Sequence, residues 1–119
     1  MADDCVFCRI VAGEVPVELL HDDEHVVAFR DMAPKAEVHV LVVPRRHVGD
    51  VVGLAQDPAA LVALVEAGAA IARAHADGDF RLVFNTGPGA GQTVFHAHGH
   101  VLAGAGAAST GLSPDRAVT

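Results

Sequence analysis

Hydrophobic residues along this chain fall in short blocks separated by Gly, Pro and acidic turns, and the spacing inside each block predicts an element. Cys5 to Ala12 fits a short helix with Gly13 as its C-terminal stop. Glu18 to His21 and His25 to Asp31 read as two strands around the turn Asp22-Asp23-Glu24. Pro34 interrupts the chain, and Glu37 to Val43 is a third strand that Pro44 closes. Asp57-Pro58 is a helix start, because Asp accepts from the free N–H groups of a first turn and Pro suits its first position. That helix is predicted to reach about Ala76 and to bury Leu61, Leu64, Val65, Gly68, Ile71 and Ala72 on one face. Gly68 costs about 1 kcal/mol in mid-helix, so a close approach by another element is expected there. Asp77-Gly78-Asp79 makes a turn, Phe80 to Asn85 a strand and Thr86 to Gly91 a Gly-rich loop. Thr93 to Leu102 is read as a last strand.

Strands cluster early and late around one central helix. This order predicts an α+β fold, an antiparallel sheet of about five strands with the long helix packed on one face. Length bounds the chain to one domain, assigned to residues 1–104. Residues 105–119, rich in Gly, Ala and Ser without a period, are expected to form a flexible tail.

Composition narrows the function class. Apolar residues make up 51% and charged residues 19%, which is a globular balance, and the net charge of -7 opposes binding to nucleic acid or a membrane surface. A small anion can still bind where imidazoles and backbone N–H groups gather. There is no unbroken run of 18 apolar residues, so no transmembrane helix is expected. The acidic start Met1-Ala2-Asp3-Asp4 lacks the basic character of a signal peptide, and the expected location is cytoplasmic.

The chemistry concentrates in His96-Ala97-His98-Gly99-His100. In a strand these three imidazoles share one face with neighbours roughly 7 Å apart. Burying three imidazoles costs desolvation at each, so the run marks a metal site, a catalytic site or both. One metal cannot meet all three along a regular strand, because ligands sit about 2 Å from zinc while the outer pair stand about 13 Å apart. A neutral imidazole can instead attack phosphorus and form a phospho-histidine that water resolves, while a neighbouring histidine donates to the phosphate oxygens. Gly87, Gly89 and Gly91 in the preceding loop let backbone N–H groups converge on an anion. Cys5 and Cys8 form a Cys-x-x-Cys pair, either a redox motif or, with two histidines added, a zinc site. His21, His25 and His75 carry no pattern and are read as surface residues, as are Arg45 and Arg46.

The segment Gly91 to Leu102 resembles the histidine-triad (HIT) motif. Cys5-Val6-Phe7-Cys8-Arg9-Ile10, the run Ala28 to Pro34 and the run His39 to His47 resemble the same family, in order, and closest to its Hint-like, zinc-bearing bacterial branch. The resemblance covers residues 5 to about 104. It implies His98 as the nucleophile toward the α-phosphate, His100 as the contact to phosphate oxygens, and His96 and His39 as supporting histidines. It implies Asp31 as acceptor of the ribose hydroxyls, Phe29, Met32 and Val15 as apolar walls of a purine slot, and Asn85, Gly91, Gln92 and Thr93 at the phosphate and leaving group. It further implies a structural zinc held by Cys5, Cys8, His47 and His96, and a homodimer joined through the long helix and a sheet edge. The activity implied is that of a purine nucleoside phosphoramidase or nucleotidyl hydrolase. Alternatives are a dinucleoside polyphosphate hydrolase and a zinc-stabilised nucleotide-binding protein with little turnover. Gly99 departs from the pattern, standing where a bulkier apolar residue is usual, and Gly104-Ala105-Gly106 replaces the aromatic C-terminal segment of some members.

Overall fold

The computed structural model describes residues 4–109. Its centre is a five-stranded antiparallel sheet in the order β1-β2-β3-β5-β4, formed by His21–Asp22, Val26–Arg30, Val38–Pro44, Arg81–Val83 (β4) and Gly99–Ala103 (β5). Helix α1 (Val6–Val11) covers one face, helix α3 (Pro58–His75) the other, and a four-residue helix α2 (Val51–Leu54) precedes α3.

The local chemistry places the helices. Cys5 caps α1, its Sγ accepting from the Cys8 N–H at 3.4 Å. Asp57 caps α3 by accepting from Ala60 N–H at 3.4 Å, with Pro58 in the first turn, as the sequence predicts. Helix α2 was not expected. Four residues show no period, and its only sequence signal is Asp50, which accepts from Gly53 N–H at 3.0 Å. Helix α3 has the length and mean hydropathy, 1.2, of a membrane span. It lies instead against the sheet, burying Ala60, Leu64, Ala67, Gly68, Ile71 and Ala72. A Cβ on Gly68 would meet Val101 Cγ2 at 3.1 Å, so the glycine does mark a close helix–sheet approach. Val65, expected on the buried face, is 42% exposed beside exposed Val62, and Ala60 and Ala67 are buried in its stead. The contact stripe is set by small residues that let the helix come near, which rotates it away from the bulkier valines.

Strand ends also differ from expectation. The first strand is reduced to two residues, His21–Asp22, preceded by a bond from Leu20 N–H to Ala28 O at 2.8 Å. The largest change is in the histidine segment, where only His100 belongs to β5. The ladder with β3 ends at the pair Val42–Gly99. Beyond it the Ala97 N–H donates to Val48 O at 2.7 Å, and the Pro44 carbonyl is taken by the His96 ring at 2.8 Å. With those partners used, residues 93–98 leave the sheet.

The turn at Asp22-Asp23-Glu24 is strapped down. Asp23 accepts from His25 and Val26 N–H and bonds the His21 ring at 2.7 Å, while Arg45 reaches Asp22 and donates to Asp23 O. His21 and Arg45 therefore brace the turn as well as face solvent. At the other end, residues 105–109 form a turn tied back by Glu37 N–H to Ala105 O at 2.9 Å and Arg81 to Ala107 O at 3.0 Å. The remainder of the expected tail, 110–119, lies outside the described residues.

Candidate functional site

Alternation along β3 puts His39, Leu41 and Val43 on the α1 face, and the register pairs Leu41 with His100 and His39 with Leu102. His39 and His100 thus sit side by side, and His98 joins them from the segment before β5, its ring 5.1 Å from that of His100. All three are buried. The hydrogen bonds assign their protons. Lys35 N–H donates to His39 Nδ1 at 3.0 Å, so the His39 proton is on Nε2, which donates to His100 Nδ1 at 2.9 Å. His100 is thereby protonated at Nε2. His98 Nδ1 lies 2.7 Å from the His96 carbonyl oxygen, which can only accept, so Nδ1 carries the proton and Nε2 keeps its lone pair. Burial holds the His39 pKa below the ordinary imidazole value, partly countered by the Asp31 carboxylate and reinforced by the Lys35 ammonium. A neutral His39 is the form this relay requires. Asp31 Oδ2 stands 3.5 Å from His39 Nε2, while its Oδ1 accepts from Ala33 N–H at 2.8 Å.

His96 faces a second group. Its Nε2–H donates to Pro44 O, which turns the bare Nδ1 toward Cys5 Sγ at 3.3 Å, Cys8 Sγ at 3.4 Å and His47 Nδ1 at 3.1 Å. Cys8 Sγ and His47 Nδ1 are 3.2 Å apart, and the four ligand atoms all lie within 4.8 Å of one another. Metal bonds of 2.0–2.3 Å give tetrahedral edges of about 3.3–3.8 Å, close to these separations. One cation would satisfy all four atoms together, and the carbonyl-fixed tautomer of His96 is the outer-shell bond that metal-binding imidazoles use. Burial pushes the His96 pKa down to about 4, so the ring is neutral at physiological pH, the form a metal needs. Burial, together with the hydrogen bond and charge of Cys5, pushes the Cys8 thiol up to about 11. A bound cation is what reverses that. These residues could hold a metal ion in a closed set.

The remaining expected residues are placed as follows. Phe29 is buried and meets Phe7 edge-on at 5.7 Å, and half-buried Val15 packs on the same cluster. Met32 is 99% exposed on the loop after β2. Gly91 ends a short 3-10 turn, Pro88–Ala90, with φ 95, a conformation that favours glycine. Gln92 is buried, and its amide is spent on the backbone. Oε1 accepts from Gly87 N–H at 2.8 Å, and Nε2 donates to Gly49 O at 2.8 Å and Val94 O at 3.0 Å. It braces the glycine loop. Asn85 is half-buried beyond β4. Thr93 lines a cavity of about 460 Å³ with Asp4, Cys5, Val6, His47, Val94 and Phe95, which lies beside Cys5 and His47 rather than His98. Sequence reasoning missed two participants. Phe7 stands edge-on to His98 at 4.9 Å, and the carbonyl of Pro44 fixes His96. Phe7 lies in the quoted N-terminal motif, whereas a main-chain acceptor leaves no mark in a sequence.

A sheet face carrying an ordered row of imidazoles beside a Cys₂His₂ group defines a histidine-triad protein. A family model described as the HIT domain matches residues 12–107, and the chain belongs to the HIT family. The chain is 37% identical over 106 residues to an HIT-like protein of Synechococcus elongatus, covering 87% of this chain and 93% of that one. It is 35% identical over 107 residues to the purine nucleoside phosphoramidase of Escherichia coli K12, covering 87% and 90%. The structure of an HIT family hydrolase from Clostridium thermocellum superposes with a TM-score of 0.81 at 38% identity, covering 86% of this chain and 91% of that one.

Proposed function

We propose that the protein is a hydrolase or transferase acting at the α-phosphate of purine nucleoside phosphoramidates or related nucleotidyl conjugates. The observation that carries this reading is the proton assignment. One imidazole, His98, has its Nδ1–H committed to a carbonyl, which leaves its Nε2 unprotonated, and its neighbour His100 accepts from His39 at Nδ1, which puts its proton on Nε2. His98 Nε2 attacks phosphorus, the bond to the leaving group breaks, and the leaving amine departs after taking a proton from solvent. Water then attacks the nucleotidyl-histidine, releases the nucleoside monophosphate and restores His98. His100 Nε2–H stabilises the negative charge that builds on the phosphate oxygens, and the Asp31 carboxylate, 3.5 Å from His39 Nε2, favours the proton on that nitrogen. The E. coli phosphoramidase at 35% identity supports the substrate class.

Phe29, Val15 and Met32 form the apolar side of the purine slot, with Met32 the wall that a ligand covers, and Asp31 takes the ribose hydroxyls. Asn85, Gly91 and Thr93 lie toward the phosphate and leaving group, where Gln92 acts by shaping the loop. Zinc is the ion assigned to Cys5, Cys8, His47 and His96. Two thiolates and two imidazoles complete its tetrahedron, so it supplies structure and leaves no position for water. The free thiols of Cys5 and Cys8 suit a reducing, cytoplasmic setting. Exposed Val62 and Val65 on α3 and the half-buried β4 edge support a homodimer.

The test is incubation with an adenosine phosphoramidate and, separately, with a diadenosine polyphosphate, followed by the mass of the intact protein. The expected result is faster cleavage of the phosphoramidate and a transient adenylate on the protein. Preferred cleavage of the polyphosphate identifies the other branch of hydrolases. Binding without any adduct or turnover overturns the enzymatic reading.

A further inference from the structure

Gly99 separates His98 from His100, and nothing in its backbone calls for glycine, since it is absent from the positive-φ positions. The reason is steric. A Cβ there would lie 2.9 Å from Leu82 Cδ1, 3.0 Å from Leu64 Cδ2 and 3.3 Å from Phe84 Cε1. The β4–β5 ladder ends at the pair Val83–His100, so Phe84 is the next residue in register and lies across from Gly99. These three side chains belong to the core on the α3 face, while His100 projects from the opposite face. An aromatic ring laid over a cross-strand glycine is a recognised way of stiffening a strand that lacks its own side chain.

We propose that Phe84 is a positioning residue: its ring occupies the place of the missing side chain at Gly99 and holds the backbone from which His98 and His100 project. Leu64 and Leu82 press on the same point from within the packed core. Phe84 is half-buried and lies beyond the last ladder pair, so its contact with Gly99 is the most separable of the three. Removing the ring lets the His98-Gly99-His100 segment relax toward the vacated space. A shift of about 1 Å at reacting groups can cost about 100-fold in rate.

The inference rests on the proposed role of His98 and His100, and its test separates the two. Phe84→Ala should lower kcat for an adenosine phosphoramidate by about tenfold with KM changed by less than about twofold. Phe84→Leu should keep kcat within about twofold, because it refills most of the volume over Gly99. A purely structural ring predicts a lower melting temperature with kcat of the folded protein unchanged, and that result overturns the proposal. So does a Phe84→Leu variant as slow as Phe84→Ala. If Phe84→Ala does not fold, Phe84→Val takes its place. Its smaller side chain should lower kcat by about threefold with KM unchanged, and an unchanged kcat overturns the proposal. A wild-type protein without turnover sinks the proposed function instead. Then ¹⁵N imidazole spectra of Phe84→Ala decide the positioning claim: signals of His98 and His100 should move while that of His21 stays, and unmoved triad signals contradict it.

Discussion

The two faces of one strand teach different lessons. Along β3, Val38, Val40 and Val42 face α3, and His39, Leu41 and Val43 face α1; all are buried. The valines need only volume and apolar neighbours. The histidine needs particular partners at particular atoms: Lys35 N–H on one nitrogen, His100 on the other, Asp31 beside it. Aliphatic packing tolerates exchange of shapes of similar volume, whereas a relay of tautomers fails when any one member loses its partner. Apart from the proposed contact of Phe84 with Gly99, the α3 face should therefore carry stability, and the α1 face should carry activity together with part of the stability.

His98→Asn is expected to separate the faces most sharply. It removes the lone pair on Nε2, and turnover should drop by more than about 1,000-fold while nucleotide binding and the melting temperature stay near wild type. Near-normal hydrolysis of an adenosine phosphoramidate by that variant would show that another group attacks. The mirror experiment is Ile71→Ala on α3, a buried residue in the aliphatic core. It should cost about 2–5 kcal/mol of stability with kcat of the folded protein, measured in the cold, almost unchanged. A large loss of kcat at full folding would mean that the faces are coupled more tightly than their contacts indicate.

The cluster of Cys5, Cys8, His47 and His96 spans the comparison, because it joins α1 to the segment that carries His98. Chelation, or Cys8→Ser, should lower the melting temperature by about 10 °C, the shift that roughly 2 kcal/mol gives in a domain of this size, with activity following as the N-terminal helix loosens. A verified metal-free sample with unchanged melting contradicts the structural role. Acid should act in the same direction. The His96 pKa is about 4 in the folded protein against 6.5 for an ordinary histidine, so the unfolded chain binds the extra proton first. Stability is complete above about pH 6.5 and declines toward pH 4, by up to about 3 kcal/mol, and protons also compete with the metal for the ring. Denaturant titrations of chelated protein across this range check the sign, and stability that rises on acidification rejects it.

The smallest expected effect is at Asp31. A carboxylate accepting two hydroxyls contributes about 1.5–3 kcal/mol, so Asp31→Ala should weaken ribonucleotide binding far more than binding of the 2′,3′-dideoxynucleotide. Calorimetry on both ligands shows it, and equal losses remove Asp31 from ribose recognition.

Legibility in the sequence followed the same divide. Helix α3 with its Asp57 and Pro58 start, strands β2 and β3, and the close approach at Gly68 all follow from period, caps and breakers. The helix face was read less well at Val65, because a 3.6-residue period locates a stripe only to within a residue, and small side chains decide which edge comes nearest. The family motif brought His39, His98 and His100 together and named Cys5, Cys8, His47 and His96, which converge in the fold. The early end of β5 was hidden, because it depends on Val48 and Pro44 carbonyls that compete for the chain at Ala97 and His96. Backbone acceptors have no residue type, so neither the break in the strand nor the tautomers it sets could be read from letters alone.

Those tautomers are the centre of this account, and ¹⁵N imidazole NMR at neutral pH reports them directly. The structure requires His39 and His100 protonated at Nε2 and His98 protonated at Nδ1, with the His98 Nε2 bare. That pattern is the predicted spectrum. A His98 protonated at Nε2, or a His100 protonated only at Nδ1, would contradict the assignment of nucleophile and donor on which the proposed reaction stands.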